Sequence, residues 1–191
     1  MLDICANLIR NNLSDLDALE IGPGKNPYLK EKDFKKVIFV DNEFEIEANN
    51  KINKNFLNFK SSNKFDLIFE RLCWHEQIRS DWIDFLDNVI DHLKPGGLFI
   101  SEHAISHKTM MFDEEKLYYD SHSMELIDSS KNKPIRFIPN SFFIESFLIN
   151  KNLNIKYFKI PFGKKVILER KNTQTKNTDP DLLQLIAQKS L

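Results

Sequence analysis

The feature that most constrains this chain is a set of short apolar runs, each stopped by turn-forming residues and followed by a segment of different period. Asp17 to Ile21 (DALEI) is stopped by Gly22-Pro23-Gly24, and Val37 to Val40 (VIFV) by Asp41-Asn42. Phe65 to Phe69 (FDLIF) and Leu98 to Ser101 (LFIS) are two more such runs. Runs this short that are apolar throughout read as strands buried on both faces, as in a parallel sheet. Before the last of them, Trp82, Phe85, Leu86, Val89, Ile90 and Leu93 recur at helical spacing up to Lys94-Pro95-Gly96-Gly97, which predicts a crossover helix. Ile52 to Phe59 alternates with Asn and Lys and reads as an outer strand with one wet face. Strands alternating with helical segments imply right-handed βαβ units and a sheet covered on both sides.

The flanking segments complete the outline. Met1 to Asn12 places Leu2, Ile4, Cys5, Leu8 and Ile9 on one helical face. Ser141 to Asn150 reads as a helix, and Leu153 to Ile160 and Lys165 to Arg170 as strands joined at Pro161-Phe162-Gly163, a terminal hairpin. Lys171 to Thr178 is polar, and Asp179-Pro180-Asp181 reads as the cap and first turn of a short helix ending near Lys189. The expected fold is therefore α/β: a three-layer α/β/α sandwich with a mostly parallel, seven-stranded sheet and an antiparallel C-terminal hairpin. One domain is expected over residues 1–170, followed by a polar linker and a short C-terminal helix over 171–191.

Composition excludes several classes. The 27 basic and 28 acidic residues leave a formal charge of -1, so no global attraction to nucleic acid or to an anionic membrane is built in. Cys5 and Cys73 lack the spacing of a disulfide framework or a zinc site, so no metal is expected and a reducing compartment is. No apolar run is long enough for a membrane span or a signal peptide, which makes a cytoplasmic location the expectation. Self-association into a homodimer is left open.

The chemistry starts at the glycine turn. Glycines after a first strand let the backbone turn tightly and let a ligand approach closely, beside the N-terminus of the next helix. Asp41 ends the second strand about 20 residues on, where a carboxylate can accept both ribose hydroxyls of an adenosine. Together they indicate an adenosine-containing cofactor. A dinucleotide needs a third glycine to hold its pyrophosphate at a helix N-terminus, but Lys25-Asn26-Pro27 follows and the next glycine is Gly96. An NAD- or nucleotide-sugar-linked enzyme and a non-catalytic binding or scaffold protein remain the alternatives.

Through ALEIGPGKNP, VIFVDNE, FDLIFERLCWHEQ and LKPGGLFIS, in this order and spacing, the chain resembles the class I (Rossmann-like) S-adenosylmethionine-dependent methyltransferases. The resemblance implies a methyltransferase with S-adenosyl-L-methionine as its cofactor. It implies that Glu20, Gly22, Pro23 and Gly24 hold the methionine portion and turn the backbone beneath it, and that Asp41 with Asn42 binds the ribose. Asn55 or Asn58 lies where the family has an Asp reaching the adenine amino group. Glu70 to Leu72 follows the fourth strand, where the family lines the sulfonium and the acceptor.

A sulfonium methyl is already activated, so the protein must align an acceptor and, for oxygen or nitrogen acceptors, remove a proton. His75 is the first candidate base, since it follows the fourth strand and titrates near neutrality; Glu76 is its neighbour, and His103 and His107 are alternatives. Packing or capping is the competing role for His75 and Glu76. Trp74 and Trp82 could stack on a flat acceptor or belong to the core. Lys131, Lys133 and Arg136 could meet an anionic group or form a solvated loop. His103 to Pro134 carries Met110, Met111, Phe112, Tyr118 and Tyr119 without a clear period; it reads as a lid that supplies the acceptor pocket, or else as a buried subdomain. The acceptor expected is a small molecule or a glycan precursor. Nucleic acid is disfavoured by the charge and by the absence of an Asn/Asp-Pro-Pro-Tyr/Phe/Trp sequence after the fourth strand, which amino methyltransferases of DNA and protein amides carry.

Overall fold

The computed structural model describes residues 1–9, 12–44, 48–111, 113–114, 116–168 and 176–191. Helix α1 (Leu2–Ile9) precedes strands β1 (Asp17–Ile21), β2 (Lys36–Asp41), β3 (Lys51–Asn53) and β4 (Phe65–Arg71), and helix α2 (Arg79–His92) leads into β5 (Leu93–Ile105). Strands β6 (Asp113–Glu114), β7 (Leu117–Asp120), β8 (Glu125–Asp128) and β9 (Lys133–Phe137) follow, then helix α3 (Ser141–Asn150), β10 (Leu153–Lys159) and β11 (Asp181–Lys189). The main sheet has seven strands in the order β10-β11-β5-β4-β1-β2-β3, parallel except at β11, which pairs antiparallel with both β10 and β5. This is the expected α/β fold class, and no helix among the described residues is long and apolar enough to cross a membrane.

Successive residues of the central strands bury to opposite sides. Leu19, Ile68 and Phe99 join a core with Trp82, Phe85 and Leu86 of α2 and Ile144 and Leu148 of α3. Ala18, Leu67 and Leu98 join a second core beneath α1, with Leu29 and Phe34 of the loop after β1. Helix α3 is started by Asn140, whose side chain accepts from Phe143 N at 2.9 Å.

Four expectations are corrected. No α-helix follows the glycine turn: residues 22–35 run as loop with one 3-10 turn, Glu31–Asp33, because Pro23, Gly24, Asn26 and Pro27 oppose a helix. The third strand is only Lys51–Asn53, and the chain then turns into a 3-10 turn at Phe56–Asn58 that inserts Phe56 into the core. The last strand is not Lys165 to Arg170. Lys165 makes one bridge to Asp181, Val166 and Leu168 enter a small satellite core, and Glu169 and Arg170 lie outside the described residues. The short C-terminal helix expected near Lys189 is strand β11, inserted between β10 and β5, so residues 181–189 pair within the main sheet. Its Leu-, Ala- and Gln-rich sequence has helical propensity, but a run apolar on both faces is what an interior strand requires.

The segment from His103 to Pro134 is likewise more ordered than its sequence suggests. After the end of β5 it forms most of a four-stranded antiparallel sheet, β6-β7-β8-β9. Met110 and Leu126 bury in the satellite core with Ala104, Ile138, Val166 and Leu168, and Tyr119 donates its hydroxyl to Ile138 O at 3.1 Å. Met111 and Tyr118 are exposed, and Phe112 lies outside the described residues.

Because Leu185 and Ile186 are both fully buried and face different cores, each should behave as a core residue. Leu185→Ala and Ile186→Ala are expected to cost about 3 kcal/mol apiece in urea denaturation. On a peripheral helix at least one of the two would cost well under about 1 kcal/mol.

Candidate functional site

The order of the sheet places a switch point between β1 and β4, where one half of the chain builds outward to β2 and the other to β5. A cleft of about 300 Å³ opens there beyond the carboxyl ends of the strands, the position where open α/β sheets bind ligands. It is lined by Ile21, Gly22 and Gly24 after β1, by Val40 to Glu43 at the end of β2, by Lys54 to Phe56, by Arg71 to Cys73 after β4, and by Glu76, Gln77 and Phe85.

Two turns meet at the floor of the cleft. Gly22 has φ +62°, and a Cβ built on it would lie 2.0 Å from Cys73 Sγ. Leu72 is held at φ 62°, a left-handed conformation unusual for a residue with a side chain, and donates its N–H to Glu102 O at 2.7 Å. The glycine is needed for both backbone freedom and space.

The carboxylates have distinct tasks. Asp41, 8% exposed at the end of β2, accepts from Gly24 N through Oδ2 at 2.8 Å and from Glu43 N through Oδ1 at 2.9 Å. Glu20 lies deeper and does not line the cleft. Its two oxygens accept from Tyr28 N and Leu29 N, both at 2.8 Å, which fastens the loop after the glycine turn. Burial raises its pKa against the lowering effect of these two bonds. Glu70, fully buried, accepts from Cys73 N at 3.0 Å and Trp74 N at 3.2 Å through Oε2, and Ser101 Oγ lies against its Oε1. Burial pushes its carboxyl up to about 7.

Of the residues singled out in the sequence, Gly22, Gly24, Asp41, Asn42, Asn55, Leu72 and Glu76 come together around the cleft. Asn55 also caps the following turn, accepting from Leu57 N at 2.9 Å, while Asn58 does not line the cleft. Glu20, Pro23 and Glu70 stand behind the wall. His75 and His103 are 2% and 0% exposed and do not reach the cleft; burial lowers each to about 3, which keeps both neutral. His107 lies elsewhere, bonded to Asp179 O at 2.7 Å and near Lys165. Trp74 and Trp82 stack on each other at 4.1 Å in the core and present no ring to a ligand. Lys131 is surface-exposed beside Asp128, whereas Arg136 reaches Glu76 at 3.3 Å and links β9 to the cleft. That pair and the bond from Phe137 N to Gln77 O at 2.7 Å connect the small sheet to the cleft; Met110, Met111, Tyr118 and Tyr119, expected in a lid, line no part of it. No group of residues suited to hold a metal ion occurs among the described residues.

Arg71 lies within the stretch Glu70 to Leu72 that the sequence singled out and lines the cleft, whereas sequence reasoning missed Glu43, Lys54, Cys73, Gln77 and Phe85. Cys73 directly follows that stretch, so the end of the fourth strand was the available signal. Phe85 arrives from α2, and only tertiary packing brings it there.

No protein-family model and no curated protein matches the sequence. Solved structures do match its fold. An S-adenosylmethionine-dependent methyltransferase from Clostridium acetobutylicum is 16% identical with a TM-score of 0.62, over 99% of this chain and 90% of that one. The N-methyltransferase NodS from Bradyrhizobium japonicum, in complex with S-adenosyl-L-homocysteine, is 14% identical with a TM-score of 0.59, over 98% and 84%. The 1,6-didemethyltoxoflavin-N1-methyltransferase of Burkholderia thailandensis, with 1,6-didemethyltoxoflavin and S-adenosylhomocysteine bound, is 13% identical with a TM-score of 0.60, over 99% and 77%. The architecture is the class I methyltransferase fold.

Two outcomes follow from the geometry. Gly22→Ala should destabilise the protein beyond the roughly 1–2 kcal/mol of a left-handed alanine, and adding Cys73→Ala should recover the excess, since only Cys73 Cβ at 3.4 Å then remains nearby. Calorimetric melting of the single and double variants measures it. The second outcome concerns acid. Because His75 and His103 have folded pKa values below their unfolded ones, they contribute stability above pH 6.5 that is lost as the pH falls toward about 3. Each unit of displacement is worth about 1.4 kcal/mol. Glu70, raised in the fold, opposes this by losing stability as the pH rises through about 7. Urea midpoints should fall steeply below pH 6.5, and less steeply in His75→Met.

Proposed function

We propose that this chain is an S-adenosylmethionine-dependent methyltransferase acting on a small-molecule or glycan-type acceptor. The observation that carries the reading is the Asp41 carboxylate, set at the end of β2 against the Gly22–Gly24 turn, in a cleft at the switch point of this fold. Among the described residues each Asp41 oxygen accepts one backbone N–H, which leaves a lone pair on each that a ribose hydroxyl could occupy. Gly24, at φ +55°, has nothing within 4 Å of where a Cβ would stand, so the turn is open on its ligand side. Asn55 and Phe56 line the other end of the cleft, where the Asn55 amide could meet an adenine.

S-adenosylmethionine supplies an electrophilic methyl group; the chain has to orient that group, exclude water and accept a proton. Leu72 and Cys73 provide a wall at the β4 end. Glu76, about half exposed and paired with Arg136, is the carboxylate at that end of the cleft and the group placed to take a proton from an amine or hydroxyl acceptor. This role passes to Glu76 because both buried histidines are kept neutral away from solvent. A small acceptor is favoured by the near-zero net charge and by the modest cleft, and two of the structural neighbours are named as N-methyltransferases, one with 1,6-didemethyltoxoflavin bound.

S-adenosylhomocysteine should bind and stabilise the protein, by about 2.7 kcal/mol at a hundred times its dissociation constant. Asp41→Ala should weaken binding by about 2–3 kcal/mol, the range for hydrogen bonds to a charged acceptor. Asp41→Asn, which keeps an acceptor for the turn, separates loss of ligand from loss of fold. Titration calorimetry at millimolar ligand giving neither heat nor a shift in melting temperature would rule the reading out.

A further inference from the structure

Behind the cleft wall lies a polar chain that the proposed reaction does not use. Glu70 and Ser101 are register partners on the adjacent parallel strands β4 and β5, and His103 follows two residues later on the same face. All three are fully buried. Ser101 Oγ touches Glu70 Oε1 and lies 2.6 Å from His103 Nδ1, while Glu70 and His103 themselves are 3.8 Å apart. The serine hydroxyl is therefore the link between them. At one end of the chain, Glu70 Oε2 holds the N–H groups of Cys73 and Trp74, the two residues that follow the left-handed Leu72. At the other end, His103 Nε2 is buried with no hydrogen-bond partner among the described residues. A buried imidazole nitrogen without a partner costs free energy, and which of the two nitrogens carries the proton is set by the bond that the other makes.

We propose that Glu70, Ser101 and His103 form a buried proton relay that positions the Leu72–Cys73 wall of the cleft, in two arrangements differing by one proton. In the first, Glu70 is a carboxylate, Ser101 donates to its Oε1, and His103 donates Nδ1–H to Ser101, leaving Nε2 bare. In the second, a proton has entered at His103 Nε2, the Nδ1 proton has moved to Ser101, and the Ser101 proton has moved to Glu70 Oε1. Every bond in the chain reverses direction and His103 changes tautomer; the net change is one proton gained. Oε2 accepts from Cys73 and Trp74 in both arrangements, but with full carboxylate strength only in the first. The wall that Leu72 contributes is thus held more firmly when Glu70 is ionised.

The surroundings favour a neutral imidazole throughout. Trp74 lies edge-on to the His103 ring at 4.9 Å, and burial disfavours charge on both His103 and Glu70. The titratable groups facing the chain are Glu102 on β5, which raises Glu70 further, Cys73 and His75 in the turn above, and Arg136 on β9, which acts on His75. The carboxyl at about 7 puts the exchange within reach of ordinary pH.

The relay is tested on the full chain, without ligand, by ¹⁵N resonances of the His103 ring at about pH 6 and about pH 8.5, either side of the Glu70 titration. Wild type should carry the proton on Nε2 at the lower pH and on Nδ1 at the higher. Glu70→Gln should hold the Nε2–H tautomer at both, because its amide donates to Ser101 while its carbonyl keeps Cys73 and Trp74. Ser101→Ala, which leaves the Glu70 bonds to the turn intact, should abolish the response. One tautomer at both pH values in wild type, an imidazolium at the lower pH, or a tautomer change that persists in Glu70→Gln would each overturn the relay. The link to the cleft rests on the methyltransferase reading. S-adenosylhomocysteine should bind wild type at least about threefold more tightly at the higher pH, as expected when bonds to the turn become charge-assisted, and Glu70→Gln should bind equally at both. Binding that is independent of pH in wild type overturns the positioning role. No binding at either pH overturns the methyltransferase reading and with it the positioning role, while the ring resonances decide the relay on their own.

Discussion

A parallel sheet has to be covered on both faces, because its strands carry apolar side chains to each side. In this chain helices α2 and α3 meet that requirement on one face with Trp82, Phe85 and Ile144. On the other face helix α1 covers part of the area and irregular chain covers the rest, through Leu29 and Phe34. Irregular chain brings backbone N–H groups that need partners. Glu20 meets that need from inside β1 by accepting from Tyr28 and Leu29, and Tyr28 in turn stacks on Phe69 at 4.7 Å. The loop that shapes the near side of the cleft is therefore held by one buried carboxylate in place of a helix.

A second buried carboxylate does the same on the far side. Glu70 holds the turn after β4 as Glu20 holds the loop after β1, and the two turns touch where Cys73 Sγ fills the space that a side chain at Gly22 would need. The cleft is the gap left beyond that contact. Its acidic lining includes Asp41 at the end of β2 and Glu76 in the turn after β4, whereas Glu20 and Glu70 beneath them hold the backbone. Proximity in sequence to a strand end does not separate these roles; one residue of offset decides whether a side chain faces the cleft or the core. His75 and Glu76 are adjacent, yet the first is buried and the second lines the cleft.

Several elements were legible because their signals are local. The runs at 17–21, 37–40 and 65–69, helix α2 and the glycine turn with Asp41 all follow from apolar pattern and turn chemistry, and they placed the cleft at the correct edge of the sheet. The small sheet from Asp113 to Phe137 was not recognised, since its strands are short and half-buried and its stability comes from a satellite core that includes Val166 and Leu168, far along the chain. Strand β11 reads as a helix in sequence because Asp179-Pro180-Asp181 has the form of a helix cap and first turn. Only the vacancy between β10 and β5 selects the strand.

By itself the sequence determined the elements whose residues bury or turn for reasons contained within a few positions: the apolar strands, the glycine bend and the acid at the end of β2. Tertiary structure alone decided which polar side chains line the cleft and which are enclosed. Glu20, Glu70, Ser101 and His103 acquire their partners from other strands and loops, and ionisation of such groups is governed by burial and by those partners. A linear pattern carries the period of a strand but not what lies across it, and that distinction divides the candidate base His75 from the carboxylate Glu76 that occupies the cleft.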